Sequence, residues 1–346
     1  MSQHHLAAAT EVIQNPADFP PAMRGCALCI GNFDGVHLGH ARMLAAGRQM
    51  ATRHGLPFVI MTFEPHPMTI LKPEIPRLPI MTLDQRLETL REFKPDGIIL
   101  ITTNKEFLGI DAQDFMDQSL HTTLDARWLV EGENFTFGRG ALGTVRTLRE
   151  NEKRFGWQTI VVPTVQASLD DKTVVNVSSS MLRWLLGHGR VRDAQTLLGR
   201  PYALRGRVEH GEKRGRLMGY PTVNPQVRQI LPADGVYGGW AKIGSSVHRA
   251  AISVGTNPTF QGNQRRVEAF LLDFDHDVYE KTVELQFGIF VRDQQAFPGP
   301  ETLREQISRD VKTILRTLPE KPIQPLRETD IWKLENDQAV QPTARI

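Results

Sequence analysis

His37 and His40 stand three residues apart in the run Gly31-Asn32-Phe33-Asp34-Gly35-Val36-His37-Leu38-Gly39-His40. The run follows an apolar stretch, Cys26–Ile30, and leads into a helical pattern over His40–Met50. At a helix start, side chains three apart project toward the same side. Two imidazoles placed there can hydrogen-bond phosphate oxygens and stabilise charge that builds in a transition state. The turn between a first strand and its helix is also the usual phosphate position of an open α/β sheet. Gly39 lets a nucleotide pack close to the backbone.

A second pattern fills residues 206–224, which hold four glycines and four Lys or Arg and end in Pro221-Thr222-Val223-Asn224. Gly211, Gly215 and Gly219 let backbone N–H groups approach phosphate oxygens with no Cβ in the way. Lys213 and Arg216 add positive charge to the same loop. Thr222 and Asn224 offer neutral oxygen ligands suited to Mg²⁺. The run is not a Walker A sequence and stands on its own pattern. Further on, Glu268 lies at the start of an apolar strand pattern, Val267–Phe274. A carboxylate there is either solvated at a rim or aimed into a site.

Cys26 and Cys29 are the only two cysteines. In a strand, residues three apart point to opposite faces, which excludes a shared metal or a disulfide.

These residues need elements to hold them. Strand patterns cover Cys26–Ile30, Phe58–Phe63, Gly97–Ile101, Arg127–Val130 and Thr159–Pro163. Helical stretches lie between them, one carrying Leu83, Leu87 and Leu90 on one face. Such alternation predicts a parallel sheet covered on both faces. A short strand, Thr173–Val177, feeds Ser178-Ser179-Ser180, which can cap a helix running to about Leu186. A second short helix, Val191–Leu198, ends at Gly199.

The period changes beyond Gly199-Arg200-Pro201. Val283, Leu285, Phe287 and Ile289 alternate with more polar neighbours, and Tyr202–Val208, Val236–Ile243, His248–Val254 and Val267–Phe274 also read as strands. Several short strands without intervening helices predict a small antiparallel barrel. Leu303, Ile307, Val311 and Ile314 mark one closing amphipathic helix. The expected division is 1–199, 200–318 and a loosely attached tail, 319–346.

The chain of 346 residues has a net charge of +2, too little for a general nucleic-acid binder. Met1–Thr10 lacks a signal-peptide pattern, and no apolar run approaches membrane-spanning length. A cytoplasmic protein with no membrane partner is expected.

The loop ending in Pro221-Thr222-Val223-Asn224 resembles that of the riboflavin kinase family, which carries Pro-Thr-Ala-Asn. His37-Leu38-Gly39-His40 resembles the His-x-Gly-His motif of the nucleotidylyltransferase superfamily. Thr62-Phe63-Glu64-Pro65-His66-Pro67, Leu83-Asp84-Gln85-Arg86, Glu131-Gly132-Glu133-Asn134-Phe135-Thr136-Phe137-Gly138 and Ser178-Ser179-Ser180-Met181-Leu182-Arg183 extend the likeness. Together they are similar to the adenylyltransferase module of bifunctional FAD synthetase. Leu231-Pro232-Ala233-Asp234-Gly235-Val236-Tyr237 and Gly255-Thr256-Asn257-Pro258-Thr259-Phe260 fit the kinase module.

The resemblance implies an α/β plus β protein. A Rossmann-like nucleotidylyltransferase domain would precede a riboflavin-kinase-type barrel. It implies phosphorylation of riboflavin to FMN, then adenylylation of FMN to FAD. Riboflavin, FMN and ATP would be the partners, FMN and FAD the products, and Mg²⁺ the cofactor. By the same likeness, His37, His40 and Arg183 align and stabilise adenylyl transfer. Gly31, Phe33, Asp34, Gly39, Asn134, Ser178 and Ser179 would contact ATP or flavin. Glu268, within Glu-x-x-x-x-Asp-Phe, falls at the family's catalytic base. Thr222 and Asn224 would hold Mg²⁺, and Gly211, Lys213, Gly215, Arg216 and Gly219 would cover ATP.

The chain departs from the family pattern at several positions. Ser180 stands for Thr, Met181 for a polar or basic residue, and Glu280 for the Gly after Tyr279. The middle of Arg292–Phe297 lacks the usual acidic and basic residues. The rivals are a kinase that has lost adenylyl transfer, a flavin-binding protein without turnover, and a different nucleotidyl transferase, which leaves the C-terminal module unexplained. Mg²⁺-dependent ATP consumption separates the second from an enzyme.

Overall fold

The computed structural model describes residues 10–209, 220–256, 265–274 and 276–325. They fold into two compact units. One takes in the chain up to Arg77 together with Leu83–Val165. The other takes in Leu78–Thr82 and the chain from Gln166 on.

The first unit is built on β1 (Glu11–Ile13), β2 (Ala27–Ile30), β3 (Phe58–Glu64), β4 (Gly97–Thr102) and β5 (Trp128–Gly132). A small hairpin of β6 (Thr136–Phe137) and β7 (Gly143–Thr144) follows, and then β8 (Gln158–Val162). The sheet order is β1-β4-β3-β2-β5-β8, with every pair parallel. From β2 the chain winds outward through β3 and β4 on one side, then returns to place β5 and β8 on the other. Such a reversal leaves a crevice at the carboxyl ends of the central strands.

Helix α1 (Leu38–His54) covers one face of this sheet, and Gly55 ends it in the left-handed conformation. The opposite face is a cluster that includes Cys26, Leu28, Val59, Ile99, Leu129, Phe115, Leu120, Leu148 and Trp157. The two cysteines take opposite faces, as the strand reading requires. Cys26 lies in that cluster, while the Cys29 thiol donates to the Met43 carbonyl of α1 at 3.6 Å. Burial pushes the Cys26 thiol up to about 12. Helix α1 begins two residues earlier than its pattern suggested, because His37 supplies a cap.

The second unit opens with a hairpin of β9 (Gln166–Ser168) and β10 (Val174–Asn176), followed by helices Ser179–Gly187 and Val191–Leu198. Then come β11 (Tyr202–Glu209), β12 (Thr222–Gln226), β13 (Gly235–Ile243), β14 (Ser246–Gly255), β15 (Arg266–Leu271) and β16 (Thr282–Arg292). They close an antiparallel barrel in the order β11-β12-β15-β14-β13-β16. Helix Pro300–Thr317 then packs on it, burying Ile314 with Trp240, Ile289 and Leu318.

Two barrel strands also differ from their sequence reading. Thr222–Gln226 is a barrel strand rather than a loop end. β15 stops at Leu271, not Phe274, because Asp273 turns the chain with a φ of 54°.

Gly47 sets how closely α1 approaches the sheet. A Cβ there would lie 2.5 Å from Cys29 Sγ and 2.6 Å from Phe58 Cε2. Overpacking of this kind costs about 1–3 kcal/mol, against a helix-propensity gain of up to ~1 kcal/mol for Ala over Gly. The clash wins. Gly47→Ala should therefore lower the stability of the first unit by about 1–2 kcal/mol. A urea midpoint at or above that of the unchanged chain would refute the close-packing account.

Candidate active sites

The turn from Gly31 to His37 leaves β2 at the crevice. It is tightly wound: Phe33, Gly35 and Val36 have φ of 49°, 92° and 37°. A β-branched residue incurs a steric penalty in that region, so the surroundings must impose it. Phe33, Asp34 and Val36 are buried, and the Val36 N–H donates to Phe33 O at 3.1 Å. Gly31 lies under Phe33, where a Cβ would meet the ring at 3.0 Å.

Side chains hold the turn in place. Arg86, 4% exposed, donates to the Asn32 carbonyl at 3.0 Å and pairs with Glu64. Thr62 Oγ1 donates to the same carbonyl at 3.3 Å.

His37 is the N-cap of α1, its Nδ1 accepting from the His40 N–H at 3.3 Å. An accepting Nδ1 leaves the hydrogen of a neutral ring on Nε2. The two imidazoles stack, with centroids 3.7 Å apart and planes 14° from parallel. Phe33 meets His40 edge-on at 5.2 Å. Although an edge of the residue remains accessible, the ring of His40 is deeply set, and desolvation pushes its pKa down to about 3. Asn32 Oδ1, His40 Nδ1 and Glu131 Oε2 are buried without a hydrogen-bond partner among the described residues. Gly39 lies in the first turn of α1. Asn134 is exposed on the turn that follows β5, closed by Phe135 N–H to Gly132 O at 2.9 Å.

Ser178, Ser179 and Arg183 belong to the second unit. Ser178 caps the helix Ser179–Gly187, accepting from the Met181 N–H at 3.1 Å. Ser179 occupies its first turn, and Arg183 donates to the Leu78 carbonyl at 2.6 Å.

In the barrel, register decides which groups meet. Val223, Ala269 and Ile252 point inward and are buried. Their neighbours Thr222, Asn224, Glu268 and Ser253 therefore face outward. Glu268 pairs directly with Ser253, and Val223 with Ala269. One residue along that register, Asn224 comes beside Glu268. The outer face of three adjacent strands thus carries a row, Asn224–Glu268–Ser253. Gln294 extends it by donating to Ser253 Oγ at 3.1 Å. Gly255 allows this approach, since a Cβ there would sit 2.6 Å from Gln294 Oε1. The closing helix anchors the same segment. Its buried Asp310 receives Arg292 at 3.1, 3.1 and 2.9 Å, two residues before Gln294. Gly211, Lys213, Gly215, Arg216 and Gly219 lie outside the described residues, as do residues 257–260 of the Gly255 run.

Comparison with known proteins decides the family. A sequence model described as FAD synthetase matches residues 19–180, and one described as riboflavin kinase matches 198–318. A bifunctional riboflavin kinase/FMN adenylyltransferase from Haemophilus influenzae is 34% identical over 84% of this chain and 94% of its own. The chain belongs to the bifunctional riboflavin kinase/FMN adenylyltransferase family. A relative of the same name from Bacillus subtilis is 32% identical over 84% of this chain and 91% of its own. A solved structure from Streptococcus pneumoniae, titled a macrolide-efflux protein, is 31% identical. It superposes with a TM-score of 0.77 over 90% of this chain and all of its own.

Within this family, the residues that sequence reading left without a role are Arg86, Glu131, Ser253 and Gln294. Arg86 was visible only as part of a motif on a helix. Ser253 joins the row through pairing register and Gln294 through a side-chain hydrogen bond, neither of which a local pattern displays. At Glu280, which stands for the family's Gly, the φ is 66°, a conformation in which Gly carries no Cβ penalty.

The neutral His40 makes a stability prediction. An unfolded His binds a proton below its ordinary value of 6.5, whereas folded His40 does so only near 3. Between those values the unfolded state holds more protons, so stability falls as pH falls. Its contribution is complete above pH 6.5 and lost on acidification toward 3. His40→Asn should flatten the pH dependence of unfolding between pH 6.5 and 4, by up to about 1.4 kcal/mol per pH unit. An unchanged slope in urea titrations at fixed ionic strength would contradict a buried, neutral ring.

Proposed function

We propose that the chain phosphorylates riboflavin in its barrel module and adenylylates the FMN so formed in its parallel-sheet module. The family membership carries both activities. The assignment of residues is supported by one observation: the FAD synthetase match, 19–180, holds His37, His40, Ser178 and Ser179, and the riboflavin kinase match, 198–318, holds Thr222, Asn224 and Glu268. The modules of this proposal are residues 1–199 and 200–318, with 319–346 as a tail.

Riboflavin offers a neutral 5′-hydroxyl, which gains from a base. In this reading Glu268 takes its proton as the oxygen bonds to the γ-phosphorus of ATP and the bond to ADP breaks. Ser253 and Gln294, beside Glu268, orient the carboxylate and the segment next to it. Among the described residues no group of three or more His, Cys, Asp or Glu is disposed to hold a metal. Mg²⁺ would then be held by Thr222 and Asn224 with the phosphates of ATP. Such a site suits an ion that uses few protein ligands and keeps its substrate oxygens. When bound, the ion neutralises charge on the phosphates. The loop of Gly211, Lys213, Gly215, Arg216 and Gly219 would cover them.

FMN supplies a nucleophile already ionised. Its phosphate oxygen bonds to the α-phosphorus of a second ATP, and the bond to pyrophosphate breaks. No protein nucleophile is needed, so the module's work is alignment and charge stabilisation. The Nε2–H of His37 is a donor suited to a phosphate oxygen, with His40 stacked against it. By the family resemblance, Arg183, Ser178 and Ser179 would contact ATP. Gly31, Phe33, Asp34, Gly39 and Asn134 would line the nucleotide and flavin. No helix among the described residues is long and apolar enough to cross a membrane. Action in the cytoplasm is part of the proposal.

Chromatography of flavins after incubation with ATP and Mg²⁺ tests the reading. Riboflavin should go to FMN and on to FAD, and added FMN to FAD. Glu268→Gln should slow FMN formation by about 10²–10⁴-fold and leave FMN adenylylation intact. His37→Asn should do the reverse, slowing FAD formation by about 10²-fold at unchanged kinase rate. Equal damage to both activities by either variant would break the assignment. No conversion of either bound flavin would leave only a binding protein.

A further inference from the structure

Glu131 lies on β5, in the crevice where β2 and β5 part. The two strands pair only at Ala27–Trp128 and Leu28–Leu129. Beyond that, β2 stays with β3 as far as Ile30–Met61, and β5 stays with β8 as far as Gly132–Val162. The next β2 amide that faces β5 is that of Ile30. It has lost its backbone acceptor, and it donates instead to Glu131 Oε1 at 2.9 Å. The following amide, Gly31 N–H, faces the other way and donates to Met61 O at 3.0 Å. One side chain thus replaces a rung of the ladder at the point where the Gly31–His37 turn begins.

We propose that Glu131 is a positioning residue for adenylyl transfer, its carboxyl group bridging the parted strands and fixing the start of the Gly31–His37 turn. The proposal rests on the reading of the first module as an FMN adenylyltransferase. Glu131 is 0% exposed, and no cation bonds its carboxyl group among the described residues. Burial pushes it well above the usual carboxylate range, with the Ile30 bond opposing. That direction favours the neutral acid, in which Oε1 is the accepting carbonyl and Oε2 carries the proton. That hydroxyl is the second device of the residue. It is a buried donor with no partner among the described residues, at the same end of β2 as Asn32 Oδ1 and His40 Nδ1. An uncharged bridge also keeps a negative charge away from a site that must take in triphosphate and phosphate.

The charge-free bridge separates two substitutions. Glu131→Gln keeps the accepting carbonyl, the shape and a donor. Glu131→Leu keeps bulk and removes the acceptor, leaving a buried N–H unsatisfied. Both are made in the full chain, with the riboflavin kinase activity as the internal control of folding. In Glu131→Leu, kcat/KM for ATP in FAD formation should fall on the order of ten- to hundredfold. In Glu131→Gln it should stay within about threefold. Amide hydrogen exchange at Ile30 gives a readout independent of turnover. It should be slow in the unchanged chain and in Glu131→Gln, and faster in Glu131→Leu. An unaltered kcat/KM in Glu131→Leu overturns the proposal, as does a Glu131→Gln enzyme as impaired as Glu131→Leu. Failure of the unchanged chain to make FAD would instead sink the adenylyltransferase reading, and Glu131's role in it.

Discussion

A parallel sheet that grows outward from one strand in both directions opens a crevice at the carboxyl ends of its central strands. Here that strand is β2, and its pairing with β5 ends after Leu28–Leu129. The crevice so formed is where a phosphate-binding turn can leave the sheet. It is also where backbone groups lose their partners, and buried backbone groups tolerate that poorly. Side chains from distant parts of the chain fill the deficit. Glu131 takes the Ile30 N–H, while Arg86 and Thr62 take the Asn32 carbonyl. With the start of the turn held by these bonds and its end by the His37 cap, the left-handed φ at Phe33 and Val36 becomes sustainable. The stacked His37–His40 pair inherits its position from these bonds.

The barrel solves a different problem. Closure satisfies every strand edge and fills the interior with Val223, Ile252, Ala269 and their neighbours. Chemistry is left to the outer face and to whatever covers it. Alternation puts Asn224, Glu268 and Ser253 there together. The closing helix then contributes beyond its apolar contacts. Asp310 anchors Arg292, and the segment that follows delivers Gln294 to Ser253. Removing one partner of a buried ion pair typically costs about 3–5 kcal/mol, so the anchor is not easily released. A family position altered in sequence, the middle of Arg292–Phe297, thus still finds a defined contact. Gln294 serves through its amide.

Much of this was legible in the sequence where a short-range rule applied. The period of apolar residues located most strands of the sheet and of the barrel. The Gly-rich setting after Cys26–Ile30 marked His37 and His40 as candidates. Opposite faces for Cys26 and Cys29 followed from the pleat. The failures share a cause. Thr222–Gln226 was hidden as a strand because Pro225 and the adjoining Gly-rich run read as loop. The end of β15 at Leu271 depends on a left-handed Asp273, which an apolar run does not announce. Ser253, Gln294 and Arg86 matter through partners 15 to 54 positions away, as Arg86 does through Asn32. Cross-strand register and tertiary hydrogen bonds carry that information, and neither has a local signature.

Glu131 and Glu268 show how far environment, rather than residue type, divides the labour. Both are carboxyl groups on strands, and both stand at the edge of a candidate site. Glu268 sits on an outer barrel face, half-buried and paired with Ser253. Glu131 is sealed between strands, where ionisation would cost far more than one hydrogen bond returns. The half-reactions ask for this difference. A neutral alcohol must lose a proton as it attacks, so its module needs a base. A phosphate attacks already charged, and a carboxylate near two anionic substrates would only add repulsion. The first module therefore commits its buried polar groups to hydrogen bonds and position, and the second keeps a carboxylate within reach of water.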